Sequence, residues 1–513
     1  MDQGLLPNLA GIRARGAFLP CASVTPPATF PAWTTCVTGL NPGRHGILDF
    51  TEVVQGQQAI RFVNRTWRGA PALWNLLSDA GKRVCVLGVP GTYPPEPVNG
   101  ILVSGFDSPV ATGVDASFVY PRDRYADVRD WRFQDVQETD IGPGWHDRAM
   151  AGLLKKCDDQ ERIALRLLEE EPWDFFMAVF GMTDTVAHHF WLFHDPQSPR
   201  YQPSPHASAV RDIYTRLDAT VGRLMDAAGD DVVVGIVSDH GFGGAGDGVV
   251  HLNNWLAQEG LLQFTASPGN TWLKRAALTC TPESWRGTLF RRFQGLATRA
   301  ESQSRFAGID WENTRAWSEE LNYFPSVRVN LAGRDPFGTV KPADYTLFVR
   351  DLCDRLENWE RIAHAWPRGE VYDGPYVERA PDIILELALE DGYSHSCLRS
   401  RGGAPFRRIA PGEYLGGKER GMTGNHRPTG ICMLSEPVAA TATRLEDITP
   451  TVLDVLGLTA PAMDGTSLLG GVSNTSLAAM AAMAAVAPGT AEPYTEEEQE
   501  AMEARLRDLG YYE

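Results

Sequence analysis

The sequence has no cysteine framework. Its eight cysteines (positions 21, 36, 85, 157, 280, 353, 397 and 432) are scattered, without a CxxC pair, which excludes a disulfide scaffold and reads as reduced thiols in a cytoplasm. No apolar run approaches the length of a membrane span. The opening MDQGLLPNLAGIRARG lacks the long apolar segment of a signal peptide. A cytoplasmic chain without a membrane span is therefore expected. Positive charge is also short: the net charge is −18 and the pI about 5.1, which argues against bulk nucleic acid as a partner. There is no internal repeat.

What is present is an ordinary globular composition, 43% apolar and 22% charged. At 513 residues the chain exceeds what one compact core usually holds, so one large domain with insertions is expected. Short apolar runs at 83–89 (RVCVLGV), 174–180 (DFFMAVF), 231–237 (DVVVGIV), 382–387 (DIILEL) and 430–434 (GICML) read as buried strands. Between the second and third, 207–227 carries Val210, Ile213, Tyr214, Leu217, Val221 and Leu224 at helical spacing. Strand, amphipathic helix, strand predicts a βαβ unit in a covered, largely parallel sheet. Thr449-Pro450 announces a further helix, with Thr449 as cap and Gly457 near its end.

Segments 108–150 and 263–309 break this rhythm and read as insertions over the sheet edge, where substrate-selecting loops tend to sit. Trp131, Trp145, Trp272 and Trp285 lie in them; each could stack a base or aryl group, and solvent-shielded packing is the commoner role. The catalytic domain is expected over 1–470, a linker over 471–493, and an amphipathic helix over 494–513 (from EEEQEAMEARLRDLGYYE).

Chemistry-bearing residues recur where strands end, as they do in open α/β sheets. After DFFMAVF comes GMTDTVAHH, with Asp184 and His188 four apart and so on one face of any helix starting there. After DVVVGIV comes SDHGFGG, with Asp239 and His240 adjacent. Ahead of GICML, TGNHRPTG presents His426 in a Gly-rich turn. Singly these have bland readings: a helix-surface pair, a strand end, a turn residue. His189, His194 and His251 are read as structural. Together, two Asp and three His beside strand ends make a donor set suited to zinc or manganese.

The segment TFPAWTTCVTG followed by NPGRHGI resembles the nucleophile motif of type I phosphodiesterases and nucleotide pyrophosphatases, in the alkaline-phosphatase superfamily. GMTDTVAHH, SDHGF and GNHRPTG are similar to that family's later motifs, in the same order. The resemblance runs over roughly residues 4–470. It implies a three-layer α/β/α sandwich with a doubly wound sheet and cap insertions. It also implies a hydrolase of phosphodiesters or phosphoanhydrides, with nucleotides among its candidate small phosphate-ester substrates, working through a phospho-threonine intermediate on Thr29. By the same resemblance Asp184, His188 and His426 hold one divalent ion, and Asp239, His240 and Thr29 belong to a second, both zinc or manganese. Thr29 otherwise reads as a helix-capping residue. Two divalent ions against two carboxylates leave a locally positive site in an acidic protein.

The family begins with a buried strand ending in Asp-Gly, whose Asp is a ligand of the nucleophile's metal. LLPNLAGIRARG resembles the segment just after that strand, and only four residues precede it here. The resemblance thus implies either a start upstream of Met1 or a nucleophile-side metal short of one carboxylate. The rival readings are a phosphomonoesterase or phosphotransferase of the same superfamily, and a non-catalytic phosphate-binding homologue. A sulfatase is disfavoured because position 29 is Thr, with Cys36 seven residues on.

Overall fold

Two four-stranded sheets hold most of the strands that the apolar runs announce. The computed structural model describes residues 1–54, 60–105, 116–131, 141–265, 308–320, 324–400, 402–414 and 422–470. The expected linker 471–493, the terminal helix 494–513, Trp272, Trp285 and most of the 263–309 insertion lie outside the described residues, as do 108–115 and 132–140.

The elements that position the site are, in chain order, α1 (Pro7–Arg15), β1 (Ala17–Ala22), α2 (Thr29–Thr38), α3 (Leu73–Asp79), β2 (Val84–Val89), β3 (Gly100–Ser104), β4 (Val119–Tyr120), α4 (Trp145–Glu170), β5 (Phe175–Ala178), α5 (Met182–His194), α6 (Ala209–Ala228), β6 (Gly235–Val237), β7 (Gly241–Val250), β8 (Gly424–Arg427), β9 (Thr429–Leu434), β10 (Thr443–Arg444) and α7 (Ile448–Val455). The chain is α/β, as expected. Helix α7 starts one residue before Thr449, with Asp447 at the N-cap. Pro450 is tolerated there because the first turn has no intrahelical partner for its N–H groups.

The first sheet has the order β4-β3-β2-β5, with β2 parallel to both β3 and β5 and β4 antiparallel at the edge. The second has the order β10-β1-β9-β6; β9 runs antiparallel to β1 and β6, and β10 is parallel to β1. The expected largely parallel sheet is therefore found at β2, β3 and β5 and not in the second sheet. There β9 follows β8 after a single residue, Pro428, and returns against its neighbours. The DIILEL run lies elsewhere, as Ile383–Leu387 in an antiparallel sheet with Ala316–Trp317, Ser326–Val329 and Ile362–Pro367.

The strands of the anticipated βαβ unit, β5 and β6, do not pair with each other. Among the described residues, β5 pairs only with β2, and β6 only with β9. Their side chains show the consequence. Phe175, Met177 and Val179 point into one apolar core and Phe176, Ala178 and Phe180 into another. All six nevertheless stay only partly buried. Neighbouring β2, by contrast, is buried at Val84, Cys85, Val86 and Leu87. Exposure that reaches both faces of a strand alike comes from its edge.

One core lies between α2, α3 and α7 and strands β1, β2, β3 and β9, around Trp33, Trp74, Val86, Leu102 and Leu453. The other places Leu87 and Val103 against Ile163 and Leu167 of α4 and extends into the antiparallel sheet. Helix α4 rises out of the expected 108–150 insertion, whose described part also supplies the edge strand β4. Trp131 and Trp145 are buried, Trp131 beside Phe180 and Trp145 against His189, so both pack rather than face a substrate.

Candidate metal centre and nucleophile

Helix α5 begins four residues after β5 ends, putting Asp184 in its first turn and His188 one turn later. An i, i+4 pair shares one helical face, and His188 Nε2 lies 3.4 Å from Asp184 Oδ1. Asp239 and His240 sit between β6 and β7, where the chain leaves one sheet for another. His426 was expected in a turn; it lies instead within β8, opposite Phe242 of β7. The surrounding glycines serve close approach rather than a turn. A Cβ on Gly424 would come within 2.3 Å of the Ala187 carbonyl oxygen of α5, and only glycine lets β8 run this close to that helix.

This approach draws together groups far apart in sequence. His426 Nε2 is 3.0 Å from His188 Nε2 and 3.3 Å from Asp184 Oδ1. Ligand atoms of Asp184, His188 and His426 all lie within 4.8 Å of one another. His240 Nε2 is 3.8 Å from Asp184 Oδ1 and 3.4 Å from Asp239 Oδ2. Its ring stacks on that of His426 at 3.5 Å and 17°. Among the described residues, Asp184, His188 and His426 form the one such group of three; Asp239 and His240 adjoin it as a pair.

The rings are locked from behind. His188 Nδ1 faces the Gly424 carbonyl, His426 Nδ1 that of Pro27, and His240 Nδ1 that of Gly241, each at 2.9 Å. A carbonyl can only accept, so each Nδ1 carries the hydrogen and each Nε2 presents a lone pair to the cluster. Asp184 Oδ1 and Asp239 Oδ2 are buried and accept no hydrogen bond. Buried carboxylate oxygens without donors, facing three imidazole lone pairs, fit a bound cation and are costly without one.

The titration pattern agrees. Burial pushes the Asp239 carboxyl up to about 6, with the nearby Asp184 charge adding to it against the pull of His240. Burial, then His240, lowers His426 to about 3, keeping it neutral and able to ligate.

Thr29 opens α2 and is buried. Two contacts tie its loop to the cluster: Pro27 receives the His426 hydrogen bond, and Ser23 Oγ donates to the Asp239 carbonyl at 2.5 Å. Cys36 is buried on the same helix. His189 is buried beside Trp145, His194 lies against Trp191, and His251 Nδ1 meets the Leu398 carbonyl at 2.9 Å. None of these three belongs to the group of three ligands. Sequence reasoning missed the aromatic wall. Phe242 meets His188 edge-on at 4.7 Å between ring centroids, and Phe324 lies 5.6 Å from His426. Phe242 directly follows SDHG in SDHGF, so its position was available; Phe324 carried no local mark.

The profile of the family described as type I phosphodiesterase / nucleotide pyrophosphatase matches residues 1–405. No curated protein matches the chain significantly. Among solved structures, phosphonoacetate hydrolase from Sinorhizobium meliloti 1021, in complex with phosphonoformate, is similar at 14% identity and a TM-score of 0.49, covering 87% of this chain and 89% of its own. Human ectonucleotide pyrophosphatase / phosphodiesterase 5 is similar at 13% identity and 0.47, covering 90% and 92%. An inactive variant of its murine counterpart, in complex with AMP, is similar at 12% and 0.46, covering 90% and 92%.

Proposed function

This chain belongs to the type I phosphodiesterase / nucleotide pyrophosphatase family and is a phosphoric ester hydrolase, and from that premise we propose that it is metal-dependent and uses Thr29 as its nucleophile. The observation that carries the proposal is the convergence of three Nε2 lone pairs and the bare Asp184 oxygen beside the loop that opens α2. Asp184, His188 and His426 would hold one divalent ion; Asp239 and His240, with Thr29, would hold a second. Such ions polarise phosphoryl oxygens and lower the pKa of hydroxyl groups they coordinate.

The chain's own groups do the rest. The helix α2 N-terminus directs backbone N–H groups and the positive end of its dipole at the phosphoryl oxygens. Thr29 loses its hydroxyl proton and its Oγ1 bonds to phosphorus as the bond to the leaving oxygen breaks; that oxygen gains a proton. Water then attacks the phospho-threonine, its oxygen replacing Oγ1 on phosphorus, and the threonine hydroxyl is restored. The products are an alcohol and a phosphomonoester. Carbonyl-locked rings keep the cluster's geometry fixed through both displacements.

The test is turnover of an aryl phosphodiester and its monoester with zinc or manganese added, using Thr29→Ala and Asp184→Asn. Loss of a nucleophile or a metal ligand is expected to cost about a thousandfold or more in kcat. Diester turnover that survives Thr29→Ala would remove the nucleophile assignment. Preference for the monoester would move the chain to a phosphatase. Turnover indifferent to chelation would sink the metal reading.

A further inference from the structure

A cavity of about 170 Å³ lies between β7 and the strand Tyr393–Cys397 that pairs with it, and neither Thr29 nor any candidate metal ligand lines it. His395 does line it and is only 2% exposed. Its ring presses on β7, where a Cβ on Gly248 would come within 2.3 Å of Nδ1, so only glycine leaves the ring room. Among the described residues neither ring nitrogen has a hydrogen-bond partner, and neither is sealed away from the cavity. Burial, then the charge of Arg361, lowers the His395 pKa. At neutral pH the ring is therefore uncharged, with one nitrogen to accept and one to donate. A buried ring with both nitrogens unmet by protein is costly unless the cavity's contents meet them.

The remaining polar groups are mostly acceptors. Arg408 donates to Asp247 Oδ1 and, at 2.7 Å, to Glu390 Oε1, which Arg361 also approaches at 3.7 Å. The Tyr393 hydroxyl donates to Asp195 at 2.7 Å. Asp247 Oδ2, Glu390 Oε2 and both oxygens of Asp391 receive no donor among the described residues. Asp391 has no ion pair there either; Arg427, bonded to the Gly392 carbonyl at 3.1 Å, stands outside the lining. Asp391 and Gly392, at φ 52° and 87°, form the two-residue turn of the hairpin that pairs Glu390 with Tyr393, and this turn holds the Asp391 carboxylate at the cavity. An anion would face three carboxylates here, and a bare metal ion would lack three converging ligand atoms. We propose that this cavity is a second binding site, independent of the hydrolytic centre, for a small organic ammonium ion whose N–H groups meet Asp391, Asp247 and His395. Such charge-assisted hydrogen bonds are the strong ones.

Ethanolammonium, ethylene glycol and glycolate are alike in size and differ in charge, so calorimetric titration of the full chain with each at pH 7 tests the site. Ethanolammonium should bind with a Kd on the order of 1 mM, about tenfold or more tighter than ethylene glycol, and glycolate should not bind. Asp391→Asn, which keeps a residue suited to the turn, should weaken ethanolammonium about tenfold. His395→Leu should weaken it as well. Equal binding of ethanolammonium and ethylene glycol would overturn the requirement for charge. Binding that Asp391→Asn leaves intact, or that disappears in Asp184→Asn, would place the ion elsewhere and overturn the site. Binding of none of the three would show that water alone fills the cavity, and would overturn it too.

Discussion

A fully buried histidine must satisfy two ring nitrogens without water, and His45 does so inside the NPGRHGI motif. The Ile47 N–H donates to Nδ1 at 3.1 Å, so Nε2 carries the hydrogen and donates to Thr35 Oγ1 at 2.9 Å. Burial first, then the charge of Arg68, lowers its pKa to about 3. An unfolded histidine titrates near 6.5, so between these values the unfolded chain binds a proton that the folded chain refuses. The contribution of this ring is complete above about pH 6.5 and declines as pH falls toward 3. Replacing it, His45→Leu, should cost roughly 1–3 kcal/mol at pH 7 by leaving the Thr35 hydroxyl and the Ile47 amide without this partner. The variant should also lose less stability than the parent between pH 7 and 5. Urea melts at both pH values check this, and an unchanged acid slope would contradict it. The candidate ligands Asp184, His188, Asp239, His240 and His426 could be picked out because each follows or precedes a recognisable apolar run, whereas Thr29 stood out only through the resemblance of TFPAWTTCVTG. The carbonyls of Pro27, Gly241 and Gly424 that orient the rings were not, since any residue's backbone could serve.

At the scale of elements, apolar runs announced where strands lie but not which strands would meet. DFFMAVF and DVVVGIV read as neighbours because a single helix joins them. Yet among the described residues β5 and β6 each keep one unpaired edge, and only Gly235–Val237 of the second run is strand. Pairing is decided by contacts distant in sequence, such as Val237 with Cys432, which local periodicity does not record. An edge with free backbone groups opens easily. Amides in 175–178 and 235–237 should exchange with deuterium about a hundredfold faster than those of β2 and β3. Equal protection of all four strands would show the two edges to be covered in solution.

On the scale of the molecule, the cluster staples three distant parts of the chain: α5, the β6–β7 junction and β8. An ion that binds only this folded arrangement adds stability by mass action. Zinc in about hundredfold excess over its dissociation constant should stabilise the chain by roughly 2–3 kcal/mol, read as a rise in Tm that a chelator reverses. His426→Ala should remove the rise, and a rise that persists would place the ion elsewhere. Strand β2 carries a different kind of consequence. Its Val84 and Val86 belong to the core under α2 and α3, while Cys85 and Leu87 belong to the core under α4. A wall between two rooms lets each be refurnished alone. Substitutions at 84, 86 and 89 should compensate one another, as should those at 85 and 87, while pairs drawn from both sets should combine additively. Divergence within such a lineage can then proceed as two nearly separate histories written along one strand.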